Sequence, residues 1–182
     1  MPIIHVFYPK GMLDTNRKAL LAEQLSAIML AMEGGFGTRA GYGLATVLMT
    51  EVPSTDWWVG GLTDDTFVAA PGKLIARVSI PEGYMSQPHK SWVHYEVHAA
   101  VLATIADPDG EPQGGSIQVI IEEIKEGQWG ANGQTISLAD MADAVGLKKD
   151  GDRYRWVESY FSAKKALLEK AGFPRDVGGV LP

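Results

Sequence analysis

The sequence predicts an α+β protein. Two tandem β-α-β units form one four-stranded sheet with both helices on one face, and a C-terminal helical extension follows. Three observations carry this. One unbroken register pairs Ile3 with Ile75, Gly11 with Gly83, Leu21 with Val93, Leu25 with Val97, Glu51 with Glu123, Trp57 with Trp129 and Gly61 with Gly133, which duplication explains far better than coincidence. Each copy begins and ends on a short apolar run, with a segment of helical periodicity between them. The register stops after Ser137. The units are residues 1–70 and 71–136, the extension is 137–182, and all three belong to one compact domain.

The first strand, Ile3 to Tyr8, and its counterpart, Leu74 to Ile80, are rich in Ile, Val and aromatic residues and are closed by Pro and Gly. The first helix is capped by Asp14 or Thr15 and carries Leu21, Leu25, Ile28 and Met32 as one apolar stripe. In the second, Ser86 caps, Pro88 sits in the first turn, and Val93, Val97, Ala100 and Thr104 repeat the stripe. The second strands are Leu44 to Val52 and Ile117 to Ile124. Units of this length require parallel strands joined by a right-handed crossover. The sheet face away from the helices is then apolar and uncovered, which calls for an oligomer. The extension reads as a short helix at Leu138 to Val145, a polar break at Lys148 to Arg153, and a longer helix near Tyr154 to Ala171.

Composition limits the function. With 46% hydrophobic and 21% charged residues the chain can bury a core, and a net charge of −6 leaves no basic surface to collect phosphates, so nucleic acid is not an expected partner. There are no cysteines, which removes disulfides, thiolate nucleophiles and cysteine-ligated metals. Neither a basic leader nor a long apolar segment opens the sequence, so a cytoplasmic protein without a membrane partner is expected. His94, Glu96 and His98 lie on one helix, but the spacing is not that of a zinc protease and no third ligand is evident, so no metal is expected. Gly35, Gly37 and Gly41 follow a helix and precede a strand, the reverse of a dinucleotide loop, and no cofactor is expected.

Pro2 is the sharpest chemical feature. A small second residue is the usual condition for removal of the initiator Met, which would leave Pro2 as a secondary amine. Buried at the head of a strand, such an amine would have its ammonium form disfavoured and its pKa lowered toward that of a general base. Proline in second place is common, and its context distinguishes it here. It opens a duplicated β-α-β unit, and the copies end in ThrGluValProSerThrAspTrpTrpValGlyGly and GluGluIleLysGluGlyGlnTrpGlyAlaAsnGly.

This combination, from residue 2 to about 140, resembles the tautomerase superfamily, and within it the 4-oxalocrotonate tautomerase group. The resemblance implies a β-α-β building block, fused pairs assembled as homotrimers, and the amino-terminal proline as catalytic acid or base. Pro2 matches that proline, while its repeat partner Leu74 is internal and has no amine. The family's aromatic wall falls on Trp129, with Trp57 as the counterpart at the second, inactive position, although packing at a unit interface would explain either ring.

The arginines that hold carboxylate substrates in the family are missing. Met12 or Tyr84 stands at the first position and Thr46 or Gln118 at the second. Tyr84 either donates a hydrogen bond to a substrate carbonyl or is a turn aromatic. Lys10, Arg39, Lys73 and Arg77 are the substitute cations, and Arg77, inside an apolar run, needs a substrate anion or an intersubunit ion pair. The expected function is a tautomerase or isomerase in which Pro2 transfers a proton on a small carbonyl compound, with Trp129, Tyr84, Arg77 and Gln118 binding substrate. The alternatives are a Pro2-dependent hydratase, dehalogenase or decarboxylase on a small keto or unsaturated acid, and a non-catalytic trimer.

Overall fold

The computed structural model describes residues 2–33, 39–106 and 114–174. The elements follow in the order β1 (Ile3–Pro9), α1 (Thr15–Glu33), α2 (Arg39–Leu44), β2 (Thr46–Val52), β3 (Leu74–Pro81), α3 (Gln87–Ile105), β4 (Ile117–Ile124), a small hairpin of β5 (Gly130–Ala131) and β6 (Gln134–Thr135), α4 (Leu138–Ala144) and α5 (Asp152–Lys170). The sheet order is β2-β1-β3-β4. Within each unit the strands are parallel, β1 with β2 and β3 with β4, and the units meet through the antiparallel pair β1–β3.

Alternation along the strands decides which side chains meet the helices. Ile4, Val6 and Tyr8 of β1 and Leu74, Ala76, Val78 and Ile80 of β3 are buried in one cluster with Leu21, Leu25, Met29 and Met32 of α1 and Val93, Val97, Val101 and Ile105 of α3. Both helices therefore cover the same face. On the other face His5 stacks on Phe7 with ring centroids 4.0 Å apart, and its Nε2 lies 2.8 Å from Thr50 Oγ1. Arg77 pairs with Glu122, and Leu48 and Ile120 stand exposed. Among the described residues no helix covers this face, as the sequence leads us to expect.

The duplication reaches the backbone. Gly11 and Gly83, equivalent in the repeat, both have positive φ, +83° and +72°. The bridge Val59↔Leu62 recurs as Ala131↔Gln134, closed by Gly60–Gly61 in one copy and Asn132–Gly133 in the other, all four with positive φ. Successive positive-φ residues of these types suit a tight two-residue hairpin turn.

Some local readings change. Asp14 does cap α1, accepting from Arg17 N–H at 2.8 Å. Ser86 occupies the N-cap position of α3 but makes no capping bond, because its hydroxyl lies 2.9 Å from His89 Nδ1 instead. Leu44 ends α2, so β2 starts two residues later than expected. The last helix begins at Asp152, inside the polar stretch read as a break. Gly35 and Gly37 lie outside the described residues.

Candidate active site

Pro2 is buried immediately ahead of β1 and continues the alternation of Ile4 and Val6 on the helix face. Its carbonyl accepts from Thr46 N–H at 3.4 Å. Because Ile3 faces Ser79 across the antiparallel pair, Pro2 falls opposite the last residues of β3. Those residues lead into the turn Glu82–Met85, and β4, parallel to β3, ends beside it. Topology therefore brings three segments to one end of the sheet: the amino terminus, the turn carrying Tyr84, and the segment after β4 carrying Trp129.

The turn is tightly held. Glu82 N–H donates to Ile124 carbonyl at 2.9 Å, and Gly83 N–H donates to Glu123 Oε1 at 3.3 Å. Glu123 in turn pairs with Lys90 of α3 at 2.9 Å. From the other side α5 closes on the turn. Lys164 Nζ reaches both Glu82 oxygens at 2.7 Å, and Tyr160 hydroxyl donates to Oε1 at 2.9 Å. A Cβ on Gly83 would lie 2.4 Å from the Tyr160 ring, so the close approach of α5 and the left-handed backbone both call for glycine.

Burial pushes the Glu82 carboxyl up, but hydrogen bonds from Lys164, Tyr160 and Glu126 N–H outweigh it and hold the carboxyl below the ordinary range. Burial and the Glu82 carboxylate together push the Tyr160 phenol up to about 12. Glu126, 6% exposed, shifts the other way: burial raises its pKa although Leu138 N–H donates to both of its oxygens at 3.0 and 3.2 Å. A lowered folded value for Glu82 means that its contribution to stability is fully present above the unfolded value near 4.5 and is lost as pH falls through the folded one. Glu82→Gln should therefore be less stable than wild type at pH 7, with the gap closing below about pH 4.5 as the wild-type carboxylate protonates. Thermal unfolding of both proteins across that range checks this, and a gap that stays constant with pH would contradict it.

Tyr84 is 4% exposed, and the guanidinium of Arg153, from the first turn of α5, lies over its ring at 5.3 Å. Trp129 lines an open cleft of about 560 Å³ formed along 127–135, and its indole N–H is buried with no hydrogen-bond partner among the described residues. An unsatisfied buried donor is uncommon and costly.

The other two expected substrate-binding residues lie elsewhere. Arg77 sits opposite His5 in mid-sheet, on the open face and paired with Glu122, whereas Pro2 belongs to the helix face. Gln118 pairs with Ile75 at the opposite end of the sheet. Within one chain neither meets Pro2. Sequence reasoning gave the extension a packing role only and missed its contacts with the turn.

The second, repeat-related position is at the far end of the sheet. There Leu74 is wholly buried, and the nearly buried Lys73 ammonium donates to the carbonyls of Thr63 at 3.1 Å and Trp57 at 3.5 Å. Among the described residues no group of three or more His, Asp or Glu side chains is placed to hold a metal ion, and no helix is long and apolar enough to cross a membrane.

No family sequence model and no characterised protein sequence matches the chain. Solved structures do. A native fused 4-oxalocrotonate tautomerase (4-OT) superposes with a TM-score of 0.57 at 23% identity, covering 73% of this chain and 94% of its own. N1, a member of the cis-3-chloroacrylic acid dehalogenase family, gives 0.59 at 15% identity over 92% and 96% of the two chains. A macrophage migration inhibitory factor from Toxoplasma gondii gives 0.55 at 13% identity over 74% and 99%. The chain shares its fold with these fused 4-OT, dehalogenase-family and migration inhibitory factor structures.

Proposed function

We propose that the protein is a tautomerase-like isomerase in which the amine of Pro2, freed by removal of Met1, transfers a proton on a small carbonyl compound without a cofactor. The observation that carries this is the burial of Pro2 at the sheet end where the Tyr84 turn and the Trp129 segment converge. The Pro2 nitrogen removes a proton from the carbon next to the carbonyl and returns it to another carbon or to oxygen. The Trp129 N–H is a free donor for the enol oxygen, and Tyr84 lines the same end. The test begins with the intact mass of protein expressed without a leading tag, which should lack Met1. A retained Met1 would make Pro2 an amide with no basic lone pair and would end the proposal.

A second reading, a Pro2-dependent hydratase or dehalogenase on a small unsaturated acid, draws support from one observation. Coverage of 92% against the dehalogenase-family structure requires much of residues 137–182 to align, whereas 73% against the fused 4-OT fits the tandem units alone. Here Pro2 would stay protonated and act as an acid. The two readings separate on the Pro2 pKa, depressed for a base and ordinary for an acid.

A trimer is part of the proposal. Related solved structures are fused 4-OT trimers, one asymmetric and one symmetric. The uncovered face with Leu48, Phe7 and Ile120 is the surface to bury. Light scattering at micromolar concentration should give three times the mass of one chain, and a one-chain mass would contradict the assembly. With no cysteine to oxidise, the chain suits a cytoplasmic setting.

A further inference from the structure

The turn after β3 and the Pro2 end of the sheet carry several charged groups, most of them already paired. Lys164 is held by Glu82 and Lys90 by Glu123. Lys125 is exposed beyond the end of β4. Arg153 differs from all of these. It is half-buried, forms no ion pair among the described residues, and places its guanidinium 5.3 Å from the centre of the Tyr84 ring. Stacking on an aromatic face orients a guanidinium while leaving its N–H edge available to an anion. Its charge acts at this end of the sheet, since burial and then the Arg153 charge lower the pKa of His89, in the first turn of α3.

The helix that carries Arg153 is fixed against the turn. Glu82 ties Tyr160 and Lys164 to it, and Gly83 admits the Tyr160 ring. Arg153 is thus held in place by contacts two and three turns further along its own helix. Arg77, the cation that sequence reasoning favoured, is engaged with Glu122 on the other face of the sheet.

We infer that Arg153, carried by the C-terminal extension and seated on Tyr84, binds the carboxylate of a monoanionic 2-keto acid at the Pro2 site. This rests on the proposed role of Pro2 for its catalytic arm only, because binding of the acid can be measured without turnover. The extension is then the fourth segment of the site, and the single guanidinium it seats on Tyr84 matches one carboxylate rather than two.

The test uses 2-oxobutanoate and its methyl ester with full-length wild type, Arg153→Met, which keeps an apolar stem on the Tyr84 ring, Arg153→Lys, and Pro2→Ala. Deuterium exchange at carbon 3, followed by NMR, reads proton transfer, and calorimetric titration of 2-oxobutanoate reads binding. Losing a charge-assisted pair corresponds to roughly a ten- to hundredfold effect. Arg153→Met should lose that much in kcat/KM and in affinity for the acid while its exchange on the ester stays within about twofold of wild type. Arg153→Lys should recover part of the loss. Pro2→Ala should bind 2-oxobutanoate with wild-type affinity and fail to exchange either compound. If wild type binds the acid but exchanges neither substrate, the Pro2 reading fails while an affinity loss in Arg153→Met still supports the inference. Equal losses for acid and ester in Arg153→Met, unchanged affinity in that variant, or no binding of 2-oxobutanoate to wild type would each overturn it.

Discussion

Replacing Pro2 with alanine is expected to lower proton exchange at carbon 3 of a small keto compound by about 10²-fold or more, the scale of losing a positioned general base. The substitution leaves an amine at the chain end but removes the ring that holds the nitrogen rigid at the head of β1. Pro2 is buried two residues ahead of Ile4 in the strand alternation, and its carbonyl is fixed by Thr46 N–H. Alanine should preserve that backbone bond, so the fold should persist while the amine loses the rigid placement from which it takes the proton. A companion protein with one unprocessed residue ahead of Pro2 makes the same point without altering a side chain. Its Pro2 nitrogen is an amide, planar by resonance and not basic, and exchange should fall at least as far. Full exchange in either protein, with circular dichroism like that of wild type, would sink Pro2 as the base.

The fold was legible because its signals are local or repeated. The alternation of Ile4, Val6 and Tyr8 and of Leu74, Ala76, Val78 and Ile80 reports a single covered face, and the constant register between copies doubles the weight of each pattern. Even the turns follow it, from Gly60–Gly61 to Asn132–Gly133. Side-chain partners were less legible. Ser86 looks like a cap by position, but a histidine three residues on takes its hydroxyl. Arg77 stands in an apolar run, yet alternation puts it on the open face within reach of Glu122 on the neighbouring strand. The clamp on the Tyr84 turn joins Glu82 to residues 78 and 82 positions further along. No periodicity carries a contact of that span. Only the docking of α5 shows that the extension packs on the Tyr84 turn, and the one hint in sequence was Gly83, whose lack of a side chain both its backbone and the Tyr160 ring require.

Leu74→Ala is the complementary experiment, because Leu74 is the repeat partner of Pro2 and the two copies should respond in opposite ways. Leu74 is 0% exposed at the head of β3, pairs in register with Ile117, and belongs to the central cluster. Truncating a fully buried leucine removes its transfer free energy and leaves a cavity, a cost of about 2–5 kcal/mol. Little relaxation is available here, since Lys73 beside it is anchored to the carbonyls of Thr63 and Trp57 and holds that loop in place. The upper half of the range is therefore expected. Catalysis should respond differently. Leu74 lies at the end of the sheet opposite Pro2, so the folded fraction of the variant should keep wild-type kcat/KM on both keto acid and ester. Denaturant unfolding gives the first quantity, and rates measured well below the unfolding midpoint give the second. A stable Leu74→Ala protein with rates as low as those of Pro2→Ala would mean that the second repeat carries chemistry after all, and that the division of labour between the two copies is wrong.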